Sequence, residues 1–225
     1  MFYKDQRGLY RCSLLDGRPW LEHGFGTRHT AAWVGAPLAT LRQVHSDRWC
    51  CADGRAGCLG EGDALLSSQP GLMVGVRTAD CLPILLADPV RRAVAAVHAG
   101  WRGLARGILG GVIEGMRQCF GSRPEELLAA VGPGICGACY EVGSEVAERF
   151  RTWLPELPSG PGPVLLDLAE AARRQLLEAG VEPCRLALSG LCTFTGGEEF
   201  VSYRRGTGRS LRMLSAIGVR PVEAP

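Results

Sequence analysis

Three short apolar runs in the middle of the chain constrain its fold more than any other feature. They cover Leu72–Val76, Leu82–Ala87 and Ala93–Val97, and polar or turn-forming residues border each of them. Short apolar runs with such borders are typical of buried strands rather than of helices. Asp88 and Pro89 predict a turn between the second and third runs. The centre of the chain is therefore predicted to form neighbouring strands of a buried sheet.

The segments on either side mix helices with further strands. Helices are predicted for Gly103–Phe120, which Gly121 ends, for a segment that Ser144 caps and that runs to about Trp153, and for a segment from the N-cap Asp167 to Gly180. Further strands are predicted at Leu41–Val44, Leu127–Val131, Arg185–Leu188, Phe200–Tyr203 and Leu211–Ile217. Because helices and strands do not alternate strictly, this order favours an α+β fold with a mixed sheet over a doubly wound fold.

The composition fits such a fold and excludes several classes of protein. The chain has 225 residues, of which 46% are hydrophobic and 21% are charged, a globular mixture that rules out a disordered tail. Its longest apolar run, around Leu82–Leu86, is far shorter than the roughly 18–20 residues that cross a bilayer. The first residues lack the layout of a signal peptide, and a net charge of +2 does not indicate a nucleic-acid partner. We therefore expect one cytoplasmic domain over residues 1–225, without a membrane or nucleic-acid partner.

The cysteine content raises the question of disulfides or metal binding. The chain has ten cysteines but four histidines. A disulfide framework is typical of short secreted chains, so most of these cysteines are expected to be core residues or incidental thiols. Cys136 and Cys139 form a Cys-x-x-Cys pair, but no second pair follows to complete a zinc ribbon. A functional cysteine would therefore be recognised by its neighbours rather than by this count.

One cysteine and two histidines lie at the ends of predicted strands. Asp80 and Cys81 stand where one strand ends and the next begins, and His98 ends the strand that returns. Adjacent strands bring Cys81 and His98 to the same end of the sheet, where sites are usually built. His45 closes another strand-like stretch. A Cys/His/His set from separated strands suits zinc with an open position for water, whereas without zinc Cys81 and His98 could form a nucleophile–base pair.

Two arginines follow His98 at the start of the predicted helix. Arg102 and Arg106 place positive charge at a helix N-terminus, where the helix dipole favours anions. The conflict disappears if an anion such as phosphate lies between them. The alternative is that both side chains point into solvent.

Several motifs resemble the signatures of the YfiH/laccase-domain family. They are Gln-Val-His at 43–45, Thr-Ala-Asp-Cys-Leu-Pro at 78–83, His-Ala-Gly-Trp-Arg-Gly at 98–103, Gly-Pro-Gly-Ile-Cys-Gly-Ala-Cys-Tyr-Glu-Val at 132–142, Asp-Leu-Ala at 167–169, and Ser-Tyr-Arg-Arg with Thr-Gly-Arg at 202–209. The resemblance runs from about Gly24 to the end of the chain. The chain departs from the family after Arg28, where His29–Pro37 is short and the family usually carries a glycine-rich segment and a longer insert.

The resemblance implies a fold, a cofactor and an activity. The fold is a layered α/β/β/α sandwich of mixed sheets, and the zinc ligands are His45, Cys81 and His98. The activity is phosphorolysis of adenosine, inosine, guanosine or methylthioadenosine, accompanied by adenosine deamination. The partners are then a purine nucleoside and phosphate, bound by a monomer or a homodimer.

The resemblance also brings two alternative activities. One is an amide hydrolase that edits peptidoglycan precursors, with Cys81 as its nucleophile. The other is the copper-dependent polyphenol oxidase (laccase) of older usage. Four histidines are too few for a multicopper cluster of the usual kind, so zinc is preferred over copper as the cofactor.

Individual residues receive roles under the leading hypothesis. Arg102, followed by Arg28 and Arg42, is the candidate for binding phosphate. Cys81, His98 and Asp80 are the candidate catalytic residues, with Asp80 orienting the metal ligands or accepting a proton. Asp63 is a further candidate, although an exposed aspartate in a turn is an equally good interpretation of Gly62-Asp63-Ala64.

Overall fold

The computed structural model describes residues 1–30, 33–207 and 211–221 of the chain. The strands β1 to β15 are, in order, Phe2–Lys4, Tyr10–Cys12, Leu21–Phe25, Leu38–Arg42, Trp49–Cys51, Gly57–Glu61, Ala64–Ser67, Met73–Thr78, Leu82–Asp88, Ala93–Ala99, Leu128–Val131, Glu141–Val142, Val164–Leu165, Leu186–Leu188 and Met213–Val219. The helices α1 to α5 are Ser13–Asp16, Trp101–Ala105, Ile108–Phe120, Ser144–Ala147 and Leu168–Glu178. The end of the Thr-Gly-Arg motif, at 208–209, lies outside the described residues.

Two mixed sheets carry most of these strands. The larger has seven strands in the order β1-β2-β3-β15-β8-β4-β6, and the smaller has six in the order β14-β11-β9-β10-β7-β5. Most neighbours are antiparallel, but β4 runs parallel to both β6 and β8, β5 runs parallel to β7, and β11 runs parallel to β14. The predicted α+β class with mixed sheets is therefore confirmed.

Apolar side chains fill the space between the two sheets. Val74 and Ile217 of the seven-stranded sheet belong to one buried cluster with Leu85 and Val94 of the six-stranded sheet. Since successive side chains of a strand point to opposite faces, the intervening residues of β9 and β10 lie on the other face. There they join a second buried cluster with α3 and α5. Burial on both faces explains why the central strands read as continuous apolar runs rather than as an alternating pattern.

Helices α2 to α5 lie on the outer face of the six-stranded sheet. Leu109, Val112 and Met116 of α3 are fully buried against it. α1 is short and contacts β2 and β3 of the other sheet. In the part of the chain that is described, no helix has the length and apolar character to span a membrane.

Two helix boundaries agree with the sequence, and two do not. Gly121 ends α3 in the left-handed region at φ 71°, and Asp167 caps α5 by accepting a hydrogen bond from the amide of Glu170 at 3.0 Å. The single helix predicted over Gly103–Phe120 is wrong, because Gly107 adopts φ 80° and separates α2 from α3. Ser144 is also not a cap: it is the first residue of α4, which ends at Ala147.

The strand predicted at Phe200–Tyr203 is wrong as well. These residues form a loop, although Phe200 and Val201 are buried as a strand residue would be. Ser202 instead directs its hydroxyl to the carboxylate of Asp80 at 3.1 Å. A polar contact with a distant residue has overridden the local preference for an extended ladder.

His23 of β3 is a fully buried titratable group, and its Nδ1 lies 3.9 Å from the carboxylate of Asp16. Its Nε2 accepts a hydrogen bond from the backbone amide of Cys12 at 2.9 Å, which fixes the neutral ring in place. Burial, and then the positive charge of Arg11, lower the pKa of His23 to about 4. The unfolded chain, with a histidine pKa of about 6.5, therefore takes up a proton at mildly acidic pH that the folded chain does not.

This difference predicts that stability is lost as the pH falls from about 6.5 towards 4. A histidine with these two pKa values destabilises the fold by about 2 kcal/mol at pH 5 relative to pH 7.5. We expect His23→Gln, which keeps an acceptor but cannot ionise, to remove this part of the pH dependence. Urea unfolding of both proteins at pH 5 and 7.5 measures it, with His29→Gln as the control. Equal pH dependence in wild type and His23→Gln would contradict the prediction.

Candidate functional site

A cavity of about 660 Å3 opens where β8 leads into β9 and where β10 ends. Its lining residues are Leu41, Gln43, His45, Arg77, Ala79, Asp80, Cys81, His98, Trp101, Arg102, Ile135, Tyr140, Leu168, Tyr203, Arg204 and Arg212. The lining combines a histidine and cysteine cluster, several arginines and a set of aromatic and aliphatic side chains.

The structure brings His45, Cys81 and His98 together on the wall of the cavity. The ligand atoms of the three side chains all lie within 4.8 Å of one another, and the two imidazole rings stand nearly perpendicular with centroids 4.8 Å apart. His45 follows β4 in the left-handed region at φ 58°. Gly100 makes this approach possible, because a Cβ there would lie 3.0 Å from the Cys81 sulfur and 3.2 Å from the His45 ring.

Asp63 holds two members of this cluster in position. One oxygen of its fully buried carboxylate accepts hydrogen bonds from His98 Nδ1 at 2.7 Å and from the amide of His45 at 3.0 Å. The other accepts from the amide and the hydroxyl of Ser46 at 2.6 and 2.7 Å. Because a carboxylate only accepts, His98 carries its proton on Nδ1 and presents Nε2 to Cys81. The sequence left two interpretations of Asp63 open, a residue beside the site or an exposed aspartate in a turn. The structure shows a buried residue beside the site.

The charges of these groups depend on one another. Burial opposes ionisation of the Cys81 thiol, but hydrogen bonds with His45 and His98 lower its pKa to about 6. Burial likewise opposes the charge on Asp63, yet the bonds from His98 and Ser46 lower its pKa to about 2. Burial alone would keep His98 neutral, but Asp63 and then Cys81 raise its pKa to about 9. The cluster thus favours a Cys81 thiolate next to a His98 imidazolium at neutral pH.

This donor set fits a zinc ion. Zinc in proteins takes thiolate sulfur and imidazole nitrogen, and catalytic zinc sites have three protein ligands and one open position. His45, Cys81 and His98 supply one sulfur and two nitrogens. The hydrogen bond to Asp63 holds His98 in the tautomer that leaves Nε2 free to bind a metal.

Asp80 lines the cavity, but its carboxylate accepts hydrogen bonds from surrounding loops. Its backbone has φ 82°, and its carboxylate accepts hydrogen bonds from Thr193 Oγ1 at 2.7 Å, Ser202 Oγ at 3.1 Å and the amide of Arg204 at 2.7 Å. Its carbonyl accepts from the amide of Ile135 at 2.8 Å. Asp80 therefore ties three distant loops together at the rim of the cavity. Sequence reasoning did not identify Thr193 or Ser202, which lie more than a hundred positions away.

Only one of the three arginines proposed from the sequence lines the cavity. Arg102 does so, with its guanidinium 4.4 Å from the centre of the Trp101 ring. Arg28 bonds to the carbonyl of Gly197 at 2.8 Å, and the exposed Arg42 forms an ion pair with Glu61. Neither Arg28 nor Arg42 is part of the described cavity lining.

Three further arginines in the lining were missed by sequence reasoning. Arg77 ends β8 just before the Thr-Ala-Asp-Cys motif, Arg204 belongs to the Ser-Tyr-Arg-Arg motif, and Arg212 precedes β15. Arg204 also lies over the ring of Tyr140, 5.1 Å from its centre. The sequence offered a signal for these arginines, because each lies in or next to a predicted strand, and one of them also lies in a motif that resembles the family's signatures.

Fold and site together define the class of this protein. It is an α+β protein of two stacked mixed sheets, with a His/Cys/His cluster and four arginines at the end of the buried strands. The chain belongs to the family described as multi-copper polyphenol oxidoreductase laccase, whose sequence model matches residues 26–220.

Comparisons with individual proteins agree with this family. A purine nucleoside phosphorylase of Deinococcus radiodurans is 41% identical over 209 residues, which cover 91% of this chain and 79% of that protein. A protein named adenosine deaminase, from an unidentified prokaryote, is 38% identical over 184 residues, 75% of this chain and 70% of that one. The crystal structure of the hypothetical protein YfiH of Bacillus licheniformis matches with a TM-score of 0.88 at 25% identity, covering 97% and 99% of the two chains. The resemblance to the YfiH/laccase-domain family is confirmed.

The position of Asp63 leads to a prediction about metal affinity. We expect Asp63→Asn to weaken zinc binding about 10–100-fold, because the amide cannot accept from His98 as the carboxylate does. It also leaves buried N–H groups of residues 44–46 poorly paired, which lowers the free energy of unfolding by about 1–3 kcal/mol. Competition with a chromophoric chelator and urea unfolding measure the two effects. The control is Asp47→Asn, at an exposed position two residues from His45; equal zinc affinity in the two variants would contradict the assignment.

Proposed function

We propose that this protein is a zinc-dependent enzyme of purine nucleosides, which cleaves the glycosidic bond with phosphate and also deaminates adenosine. The observation that carries the proposal is the meeting of His45, Cys81 and His98 with four arginines in one cavity. The names of the relatives from Deinococcus radiodurans and from the unidentified prokaryote support the same chemistry.

The electrostatics of the cavity favour an anionic substrate such as phosphate. Among the described lining residues, Asp80 is the single acidic side chain, and three donors already compensate its charge. Arg77, Arg102 and Arg204 therefore face the cavity with an excess of positive charge. Guanidinium groups bind phosphate oxygens through paired, charge-assisted hydrogen bonds, so this excess matches the second substrate of phosphorolysis.

The remaining lining residues suit a purine nucleoside. Trp101 and Tyr140 offer aromatic faces, and Leu168 and Ile135 offer aliphatic surface for a flat, apolar base. Burial, and then the charge of Cys81, raise the pKa of Tyr140 to about 12. Tyr140 thus keeps its hydroxyl proton at neutral pH and is able to donate a hydrogen bond to the base.

Phosphorolysis then requires positioning and proton delivery by the chain. An oxygen of phosphate forms a bond to C1′ of the ribose while the bond from C1′ to N9 breaks, and the purine leaves with a proton. Arginines hold and orient the nucleophile, and Tyr140 in the cavity wall donates a hydrogen bond to the leaving base. Zinc, when bound to His45, Cys81 and His98, supplies a Lewis acid to the centre. Deamination of adenosine uses the same base wall, with water as the nucleophile and ammonia as the product.

A second candidate function rests on the line of Asp63, His98 and Cys81. Asp63 orients His98, and His98 hydrogen-bonds the thiol of Cys81, which is the arrangement of a cysteine hydrolase. This order of groups would suit attack on an amide, such as one in a peptidoglycan precursor. Here Cys81 would be the covalent nucleophile and no metal would be needed.

Oxidation of polyphenols by several coppers receives less support from the structure. Two of the four histidines lie away from the cavity: His23 accepts from the amide of Cys12, and the ring of His29 contacts the carbonyl of Glu198 at 2.9 Å. Only His45 and His98 are then left for copper ligation at the cavity.

The deciding experiment is a product assay with zinc-loaded protein and adenosine. We expect adenine and ribose 1-phosphate with phosphate present, and inosine and ammonia from deamination with or without it. Cys81→Ser should lose the zinc ion of this cavity and both activities together. Turnover that survives metal removal, or a covalent acyl-enzyme on Cys81, would reject the zinc enzyme and favour the hydrolase.

The phosphate site gives a separate prediction for single arginines. We expect Arg102→Ala to raise the Michaelis constant for phosphate at least about tenfold, because a charged hydrogen bond contributes about 1.5–3 kcal/mol. The constant for the nucleoside should change less. Arg42→Ala is the matched control, since Arg42 pairs with Glu61 outside the cavity lining. Initial rates at varied phosphate measure both; an unchanged phosphate dependence in Arg102→Ala would disprove its role.

A further inference from the structure

Three cysteines form a second cluster outside the candidate active site. The sulfur atoms of Cys136, Cys139 and Cys192 all lie within 4.8 Å of one another, and all three residues are partly buried. None of them belongs to the described lining of the cavity, although Ile135 and Tyr140 on either side of the first two do. The nucleoside chemistry proposed above makes no use of this cluster.

The backbone brings the three sulfurs together from two distant segments. Gly137–Cys139 forms a tight 3-10 turn in which the amide of Cys139 donates to the carbonyl of Cys136 at 3.0 Å. A short parallel bridge joins Gly134 to Cys192, and it is closed by the amide of Thr193 donating to the carbonyl of Gly134 at 2.9 Å. The turn sets the spacing within the Cys-x-x-Cys pair, and the bridge sets the third sulfur against it.

A backbone donor also points at one of the sulfurs. The amide of Cys136 lies 3.4 Å from the sulfur of Cys192 in hydrogen-bonding geometry. An N–H group directed at sulfur stabilises negative charge there, as is required of a metal ligand. The cluster thus offers three sulfur ligands, two of them spaced by a hydrogen-bonded turn and the third next to a backbone amide that stabilises its negative charge.

We propose that Cys136, Cys139 and Cys192 form a second metal site, which binds a soft, thiophilic cation such as Zn2+ or Cu(I) through three thiolates. Sulfur ligands select such cations over magnesium or calcium. Zinc–sulfur bonds of about 2.3 Å in tetrahedral geometry separate the sulfurs by about 3.8 Å, which the observed cluster accommodates. Each thiol gives its proton to solvent as the metal binds.

A metal at this place would join the two segments that build one wall of the cavity. The first segment carries Ile135 and Tyr140 into the lining, and the second carries Thr193, whose hydroxyl holds Asp80. The bound cation would therefore act as a structural crosslink behind the site, not as part of the reaction. This inference does not depend on the nucleoside activity.

Protection from alkylation tests the site in the unmodified full chain. The protein is reduced, freed of metal, and treated with iodoacetamide with or without Zn2+, and the labelled peptides are measured by mass spectrometry. We expect Zn2+ to protect Cys136, Cys139 and Cys192, whereas the exposed Cys58 and Cys184 are labelled equally under both conditions. Full labelling of all three cluster cysteines in the presence of Zn2+ would overturn the proposal.

Metal stoichiometry separates this site from the active-site cluster. We expect two zinc ions per wild-type chain, one in Cys81→Ser, one in Cys136→Ser or Cys192→Ser, and two in the control Cys184→Ser. With Co2+ as the probe, Cys81→Ser should keep its strong thiolate-to-cobalt absorption, which the Cys136→Ser variant should largely lose. One ion in wild type that Cys136→Ser leaves in place, or a disulfide among the three cysteines in place of metal, would refute the site. Failure of the nucleoside assay would leave these results unaffected.

Discussion

The buried carboxylate of Asp63 is the interaction on which the candidate site depends. An unpaired charge at this depth would destabilise the fold by several kcal/mol, so its two oxygens must be satisfied by donors. The donors come from His98 at the end of β10 and from residues 44–46 after β4. Satisfying one charge therefore brings segments of two different sheets to the same point. The His45 and His98 side chains are placed beside Cys81 as a consequence.

Asp80 plays the same part for the opposite rim of the cavity. It stands one residue before Cys81 in a left-handed conformation, which places its carboxylate and carbonyl towards loops from the second half of the chain. The two aspartates thus hold the residues of the cavity wall in position through their hydrogen bonds. The strained backbone at Asp80 and at His45 is held by these hydrogen bonds.

Features that depend on neighbouring residues could be predicted from the sequence, whereas features that depend on contacts between distant residues could not. The central strands and the caps Gly121 and Asp167 depend on local patterns and were predictable. The nearness of Cys81 and His98 followed from strand order alone. Asp63 and Thr193 could not be placed, because nothing local distinguishes a buried turn aspartate or a loop threonine from exposed ones. The loop at Phe200–Tyr203 was mistaken for a strand for the same reason: its conformation is set by Asp80, far away in the sequence.

The anion site proposed above could not be inferred from the average charge of the chain. The net charge of +2 does not indicate an anion site, since many arginines of the described residues are paired with acidic partners. Examples are Arg11 with Glu22, Arg91 with Glu126, Arg117 with Glu114 and Arg174 with Glu156. Among the described cavity residues the balance differs, because the carboxylate of Asp80 is directed into loop contacts while the guanidinium groups of Arg77, Arg102 and Arg204 line the same space. The proposed binding of an anion thus depends on where the carboxylates point, which is a property of the fold and not of the count of charges.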